Sequence, residues 1–211
     1  MGLEKKVLNV TGRDYEDIVL YLSAVLNAVG KKPLIEDMTR DHDLYYCIPH
    51  IDRVDPAECI LDYMGIGYET CILEPSEYSV IIRLHDPDSF TPDGHPTLYV
   101  SDEKAYNLMQ LVRLKEDPGS ILVIKDYTGA VKKKIDSLAE QLKCDRIYTL
   151  VPNIPDKKSE TLATHNDRYR FNRISPQLKS LISDILAILL PDIPQKDIKR
   201  AYKTASGGHI I

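Results

Sequence analysis

Strand-like and helix-like segments alternate along nearly the whole chain, and few folds accommodate that order. "KVLNV" is a short apolar strand, and "YEDIVLYLSAVLNAV" follows it at once. In the second segment Ile18, Val19, Leu22, Val25, Leu26 and Val29 recur at helical spacing, with Gly30 as the stop. "PLIEDM" reads as the next strand, and "DPAECILDYMG" as a short helix capped by Asp55 and stopped by Gly65. "ETCILEP" reads as a short strand or loop. "YSVIIRL" and "TLYVS" have the near-continuous apolar character of strands buried on both faces. "DEKAYNLMQLVRL" is then a helix capped by Ser101 or Asp102, "SILVIKDY" a strand, "AVKKKIDSLAEQL" a helix and "RIYTLVP" a strand. Residues 153–174 read as polar and irregular, and "SPQLKSLISDILAILL" as a helix with Ser175 as cap and Pro176 at its first position. The pattern predicts one α/β domain over residues 1–191, a three-layer doubly wound, mainly parallel sheet flanked by helices, and a polar, partly disordered tail over 192–211.

The bulk properties narrow the function classes. A chain of 211 residues with 43% hydrophobic residues builds a substantial core without disulfides or metal. A net charge of -5 repels phosphate polymers, so nucleic acid is not the expected partner. Cys47, Cys59, Cys71 and Cys144 form no C-x-x-C pair and match no zinc spacing, which points to reduced thiols in a cytoplasmic protein. The start "MGLEKKVLNV" is too charged and too short in apolar length for a signal peptide. No apolar run approaches the ~20 residues of a membrane span.

The junction "VLNVTGRDYEDI" places Thr11, Gly12, Arg13 and Asp14 where an α/β protein often holds a phosphate. Yet it carries Asp14, Glu16 and Asp17 and no lysine. These carboxylates are expected to satisfy the helix N-terminus themselves and to repel an anion.

From this junction onward the order of segments resembles the MinD/ParA family of deviant Walker-A ATPases, P-loop NTPases of the SIMIBI class, over roughly residues 5–190. "AVGKKPLIEDMTRD" is similar to the family's second strand, with Asp37 at its acidic position. "SEYSVIIRLHDPD" resembles the Walker-B strand, with Asp86 two or three residues late. "TLYVSDEKAYNLMQLVRL", "SILVIKDYTG", "VPNIPD" and the closing helix resemble the phrases that follow. The flavour is that of the pilus-assembly branch, CpaE or TadZ. The resemblance implies a P-loop NTPase-like fold and face-to-face dimers across two nucleotides. Three departures count against the activity. "VTGRDYED" replaces the Gly-Lys-Ser/Thr loop, Arg83 or Leu84 stands at the Walker-B aspartate, and Lys125 or Asp126 stands at the adenine-reading Asn. Asp37 and Asp86 are then vestigial acidic positions, and neither nucleotide nor another cofactor is expected.

Other constellations carry alternatives. Asp41, His42, His85 and Asp86 follow strands, so they belong at the carboxyl edge of the sheet, where they form a candidate His/Asp or metal site. The bland reading of these loops is turn chemistry and solvated surface. Cys47 beside His50 or His42 is a candidate nucleophile, with a buried structural thiol as the plainer reading. Tyr45, Tyr46, Ile48 and His50 in "DLYYCIPHIDRV" form a candidate protein-contact surface. The basic "KDIKRAYK" lacks the bulky apolar face of a membrane anchor, so direct membrane binding is not expected. The sequence therefore points to a catalytically inactive MinD/ParA-like pseudo-ATPase, a scaffold or localisation adaptor for pilus or secretion assembly. Its partners would be proteins, with a homodimer among them. The alternatives are a divergent enzyme using the His/Asp cluster and a weak nucleotide sensor.

Overall fold

The computed structural model describes residues 5–48, 60–63, 65–71, 77–166 and 174–207. Eight strands form one sheet in the order β3-β4-β2-β5-β1-β6-β7-β8. They are β1 (Lys6–Gly12), β2 (Pro33–Asp37), β3 (Leu61–Tyr63), β4 (Ile66–Glu69), β5 (Val80–His85), β6 (Thr97–Asp102), β7 (Ile121–Lys125) and β8 (Arg146–Thr149). All neighbours are parallel except β3, which pairs antiparallel with β4. The helices are α1 (Glu16–Ala28), α2 (Ala105–Val112), α3 (Lys132–Leu142), α4 (Ile154–Asn166), α5 (Pro176–Leu189) and α6 (Gln195–Gly207). A short 3-10 helix, Asp43–Cys47, follows β2.

The expected α/β, doubly wound, mainly parallel architecture is present, and its physical reason is the two-sided burial of the central strands. On one face Leu8, Val10, Ile35, Ile82, Leu84, Leu98 and Val100 belong to one core with α1 and α5, and α6 packs on α1. On the other face Tyr99, Leu122 and Ile124 pack against Leu108 and Leu111 of α2 and Ile135, Leu138 and Leu142 of α3. Helix α1 is apolar nearly all round, as a central helix must be: Ile18, Val19, Tyr21, Leu22, Val25 and Leu26 are all buried. Helix α5 starts as the sequence predicts, with the Ser175 hydroxyl accepting from the Leu178 N–H at 3.2 Å and Pro176 at the first position.

Four local expectations are corrected. The helix read over 55–65 is a strand at Leu61–Tyr63, and residues 51–59 lie outside the described ones. The stretch read as irregular contains α4 up to Asn166. The expected polar tail contains α6, whose Ile198 and Ala201 are buried against the main core and whose Tyr202 ring stacks on Tyr21 with centroids 6.0 Å apart. Ser101 and Asp102 end β6 instead of capping α2; the cap position is Lys104, and the Asp102 carboxylate accepts from its N–H at 2.9 Å.

Candidate functional site

The carboxyl ends of the parallel strands bring β1, β2, β5, β6 and β7 to one edge of the sheet, the edge where α/β folds hold ligands. The β1–α1 turn sits at its centre. Only Arg13, Asp14 and Tyr15 separate the last residue of β1 from the first of α1. A phosphate loop needs about eight residues to wrap its ligand. Here the strand runs straight on: the Arg13 N–H donates to the Val100 carbonyl at 3.0 Å. Gly12 has a φ of +125°, and a Cβ there would meet the Val100 oxygen at 1.8 Å. This glycine therefore serves a close approach of β1 to β6.

The carboxylates satisfy part of the start of α1 themselves, as the sequence leads one to expect: Asp17 Oδ1 accepts from the Ile18 N–H at 2.9 Å, and the Glu16 carboxylate accepts from its own backbone N–H. The cap position is Tyr15, with no side-chain cap bond. Asp14 occupies the left-handed region at φ 56°, and its carbonyl accepts from the Lys125 ammonium at 2.6 Å. The same ammonium donates to Asp17 Oδ1 at 2.8 Å and to Glu160 Oε1 at 3.3 Å. Lys125 is buried. Burial pulls its ammonium down, and the charges of Asp17 and Glu160 outweigh that pull, so it is held protonated above the usual lysine range. Lys125, read from sequence only as a lost adenine contact, thus comes from β7 to fill the base of the turn.

The partners of this lysine also line a cavity of about 330 Å³, formed by Asp14, Glu16, Asp17, Asp43 and Glu160 together with Leu20, Tyr46 and Cys47. Burial lifts the Glu16 carboxyl to about 7, against the opposing pull of its own backbone N–H and of Lys125.

The two vestigial acidic positions are both used internally. Asp37 is buried. Its Oδ1 accepts from the Thr39 N–H at 3.1 Å and the Thr39 hydroxyl at 2.5 Å, and its Oδ2 accepts from the Tyr68 hydroxyl at 2.8 Å. His42 Nδ1 lies 3.5 Å from Asp37 Oδ1. Tyr15 is buried close by, and burial together with the Asp37 charge pushes its phenol up. Asp86 accepts from the Arg40 N–H at 3.1 Å, which ties the loop after β2 to the end of β5.

Asp41, His42, His85 and Asp86 do not converge. His85 turns to the opposite face of the sheet, where its Nε2 lies 3.3 Å from Asn9 Oδ1 and its ring lies against Phe90. Burial, then the Arg83 charge, pull His85 down to about 4, so it is neutral near pH 7. No group of three or more metal-ligating side chains occurs among the described residues. The candidate contact surface also splits. Tyr46 is 65% exposed, Tyr45 packs between Tyr46 and Tyr68, Ile48 and Cys47 are buried, and His50 lies outside the described residues. No described helix is long and apolar enough to cross a membrane.

No family model matches the chain, and no curated protein does. Solved structures do. A structure described as a plasmid partition protein of Borrelia burgdorferi B31 bound to AMPPNP shares 13% identity at a TM-score of 0.53, over 90% of this chain and 100% of that one. McdA of Cyanothece in its apo form shares 10% identity at a TM-score of 0.53, over 94% of this chain and 100% of that one. A McdA variant in complex with ATP shares 12% identity at a TM-score of 0.53, over 98% of each chain. The chain therefore has the MinD/ParA-like P-loop fold of these partition proteins.

Proposed function

We propose that this protein is a nucleotide-free ParA/MinD-like pseudo-ATPase that works as a scaffold or localisation adaptor. The observation that carries this reading is the Lys125 ammonium seated on the Asp14 carbonyl and Asp17 at the start of α1. It neutralises Asp17 and ties the β1–α1 turn to β7 from within the chain, so the cation nearest this helix end is engaged by the chain's own carboxylates instead of by a phosphate. The short turn supports the same reading, since the Arg13 N–H is spent on β6 and only Arg13, Asp14 and Tyr15 lie between β1 and α1, too few residues to wrap a triphosphate. So does the charge of the cavity, where Asp14 and Asp43 face an anion and the Lys125 cation is already engaged by Asp17 and Glu160. The residues present do not fit Mg-ATP. The sequence resemblance to CpaE and TadZ supports a role in placing a pilus or secretion assembly, through protein contacts and self-association.

A thermal melt with Mg-ATP and with Mg-ADP tests this. A ligand at ~100 times its dissociation constant stabilises by about 2.7 kcal/mol. For a chain of this length that moves the midpoint by roughly 2–4 °C. The expected result is no shift with either nucleotide. A shift of that size with Mg-ATP would overturn the reading.

A further inference from the structure

The outer surface of α2 and α3 carries features that the nucleotide edge does not use. Crossover helices that follow parallel strands run back against them, so the first turns of α2 and α3 lie side by side. Glu103 fastens these two starts together. Its carboxylate accepts from the Thr128 N–H at 2.8 Å, the Thr128 hydroxyl at 2.5 Å and the Gly129 N–H at 3.1 Å. The far ends are joined by Gln141, whose amide donates to the Val112 carbonyl at 2.6 Å. The pair is a single braced surface.

Two properties of that surface point to a partner. The first is an apolar stripe. Leu108 and Leu111 bury the inner face of α2, so its outer face is expected to be polar. Instead Tyr106 is 70% exposed and Met109 55% exposed, with Val112 beside them. The second is charge in an unfavourable place. Lys132, Lys133 and Lys134 fill the first turn of α3, at the positive end of the helix dipole, with no acidic residue in that turn. All three are exposed, and no carboxylate pairs with them among the described residues. Nearby acidic groups are already engaged: Glu103 as above, Asp102 with Lys104 at 2.7 Å, and Glu116 with Lys143. Asp136 and Glu140 lie farther along α3. On a chain of net charge -5, this is a basic patch at the end of an apolar stripe.

We propose that the α2–α3 surface docks an acidic amphipathic helix of a partner protein. Its apolar side chains would cover Tyr106, Met109 and Val112, and its carboxylates would face Lys132, Lys133 and Lys134. A tyrosine and a methionine are the side chains enriched in such contacts. The stripe spans only two helical turns, which is too little apolar area to anchor the protein in a bilayer. A nucleic acid would leave Met109 and Val112 without a use.

The probe is a labelled, designed helix with leucines on one face and glutamates on the other, titrated with the full chain by fluorescence anisotropy. A lysine counterpart, anionic vesicles and duplex DNA are the comparison arms. Saturable binding of the glutamate helix is expected, tighter than the lysine helix by at least about tenfold. Met109→Glu alone, and Lys132→Glu with Lys133→Glu and Lys134→Glu, should each weaken it by about tenfold, the size expected of an interface anchor. These side chains are exposed, so the melting midpoint should stay put and show that the variants fold. No saturable binding, equal binding of both helices, insensitivity to these substitutions, or a preference for vesicles or DNA would each overturn the proposal. None of Tyr106, Met109, Val112, Lys132, Lys133 and Lys134 lines the acidic cavity or touches Lys125, so failure of the helix titration and a shift in the nucleotide melt are distinguishable.

Discussion

Lys125 holds its position because three oxygens from three segments converge on one ammonium: the Asp14 carbonyl, Asp17 and Glu160. A buried ion pair of this kind adds little net stability over an apolar pair of similar volume, but breaking it from one side is costly. Lys125→Met leaves Asp17 buried without its cation and is expected to cost about 3–5 kcal/mol. Asp17→Asn in the Lys125→Met background removes the orphaned charge. The double variant should therefore recover part of the loss, with a coupling of about 1–3 kcal/mol. Urea midpoints of the wild type, both single variants and the double variant give all four corners of the cycle. A loss below about 1 kcal/mol for Lys125→Met would mean that the ammonium does not hold the turn, and the proposed nucleotide-free reading would lose its main support. Asp37 differs in kind, since Thr39 and Tyr68 satisfy it with neutral donors.

At the scale of elements, α6 shows how a polar segment becomes part of the core. Its mean hydropathy is low, yet Ile198, Ala201, Tyr202 and Ala205 fall on one face against α1. Ile198→Ala should cost about 2–5 kcal/mol, as for other buried isoleucines, whereas the exposed neighbour Lys199→Ala should be near neutral. Equal midpoints for the two variants in urea would show that α6 is not docked. That i, i+3, i+4, i+7 spacing was present in the sequence, but three of its four residues are weakly apolar, so composition masked it. Helices α1 and α5 were legible because bulky aliphatic side chains dominate their faces. The β3–β4 hairpin was not, because "DPAECILDYMG" carries the cap and stop residues of a helix. Gly67, which thins β4, is set by the Tyr78 ring: a Cβ there would lie 2.6 Å from it. At the candidate site the acidic helix start could be read directly. The cation that answers it could not, because Lys125 and Asp17 are 108 residues apart and only the sheet order joins them. The His/Asp cluster failed for a simple reason of strand geometry. Alternate side chains of β5 point to opposite faces, and His85 falls on the face away from Asp37.

For the whole molecule, the distribution of charge decides how copies can meet. The carboxyl edge holds the acidic cavity, and around it Met38, Tyr46, Val151 and Ile154 are exposed. Face-to-face pairing, which the sequence resemblance implies, would bury those apolar groups and set two acidic cavities opposite each other. Apolar burial favours such a dimer, and like charge opposes it. Salt separates the two contributions. Raising it from about 0.1 M to about 1 M shortens the screening length from about 10 Å to about 3 Å and leaves apolar burial intact. Self-association through this edge is therefore expected to strengthen with salt, which sedimentation velocity across that range will register. Weakening with salt would mean that opposite charges hold the copies together. The acidic edge of one copy would then meet the lysine-rich start of α3 on another, a head-to-tail contact that need not close into a dimer. Charge reversal at Lys132, Lys133 and Lys134 distinguishes these two arrangements. It should abolish the head-to-tail association at any salt concentration, whereas the face-to-face one should persist at high salt, where the added like charge is screened.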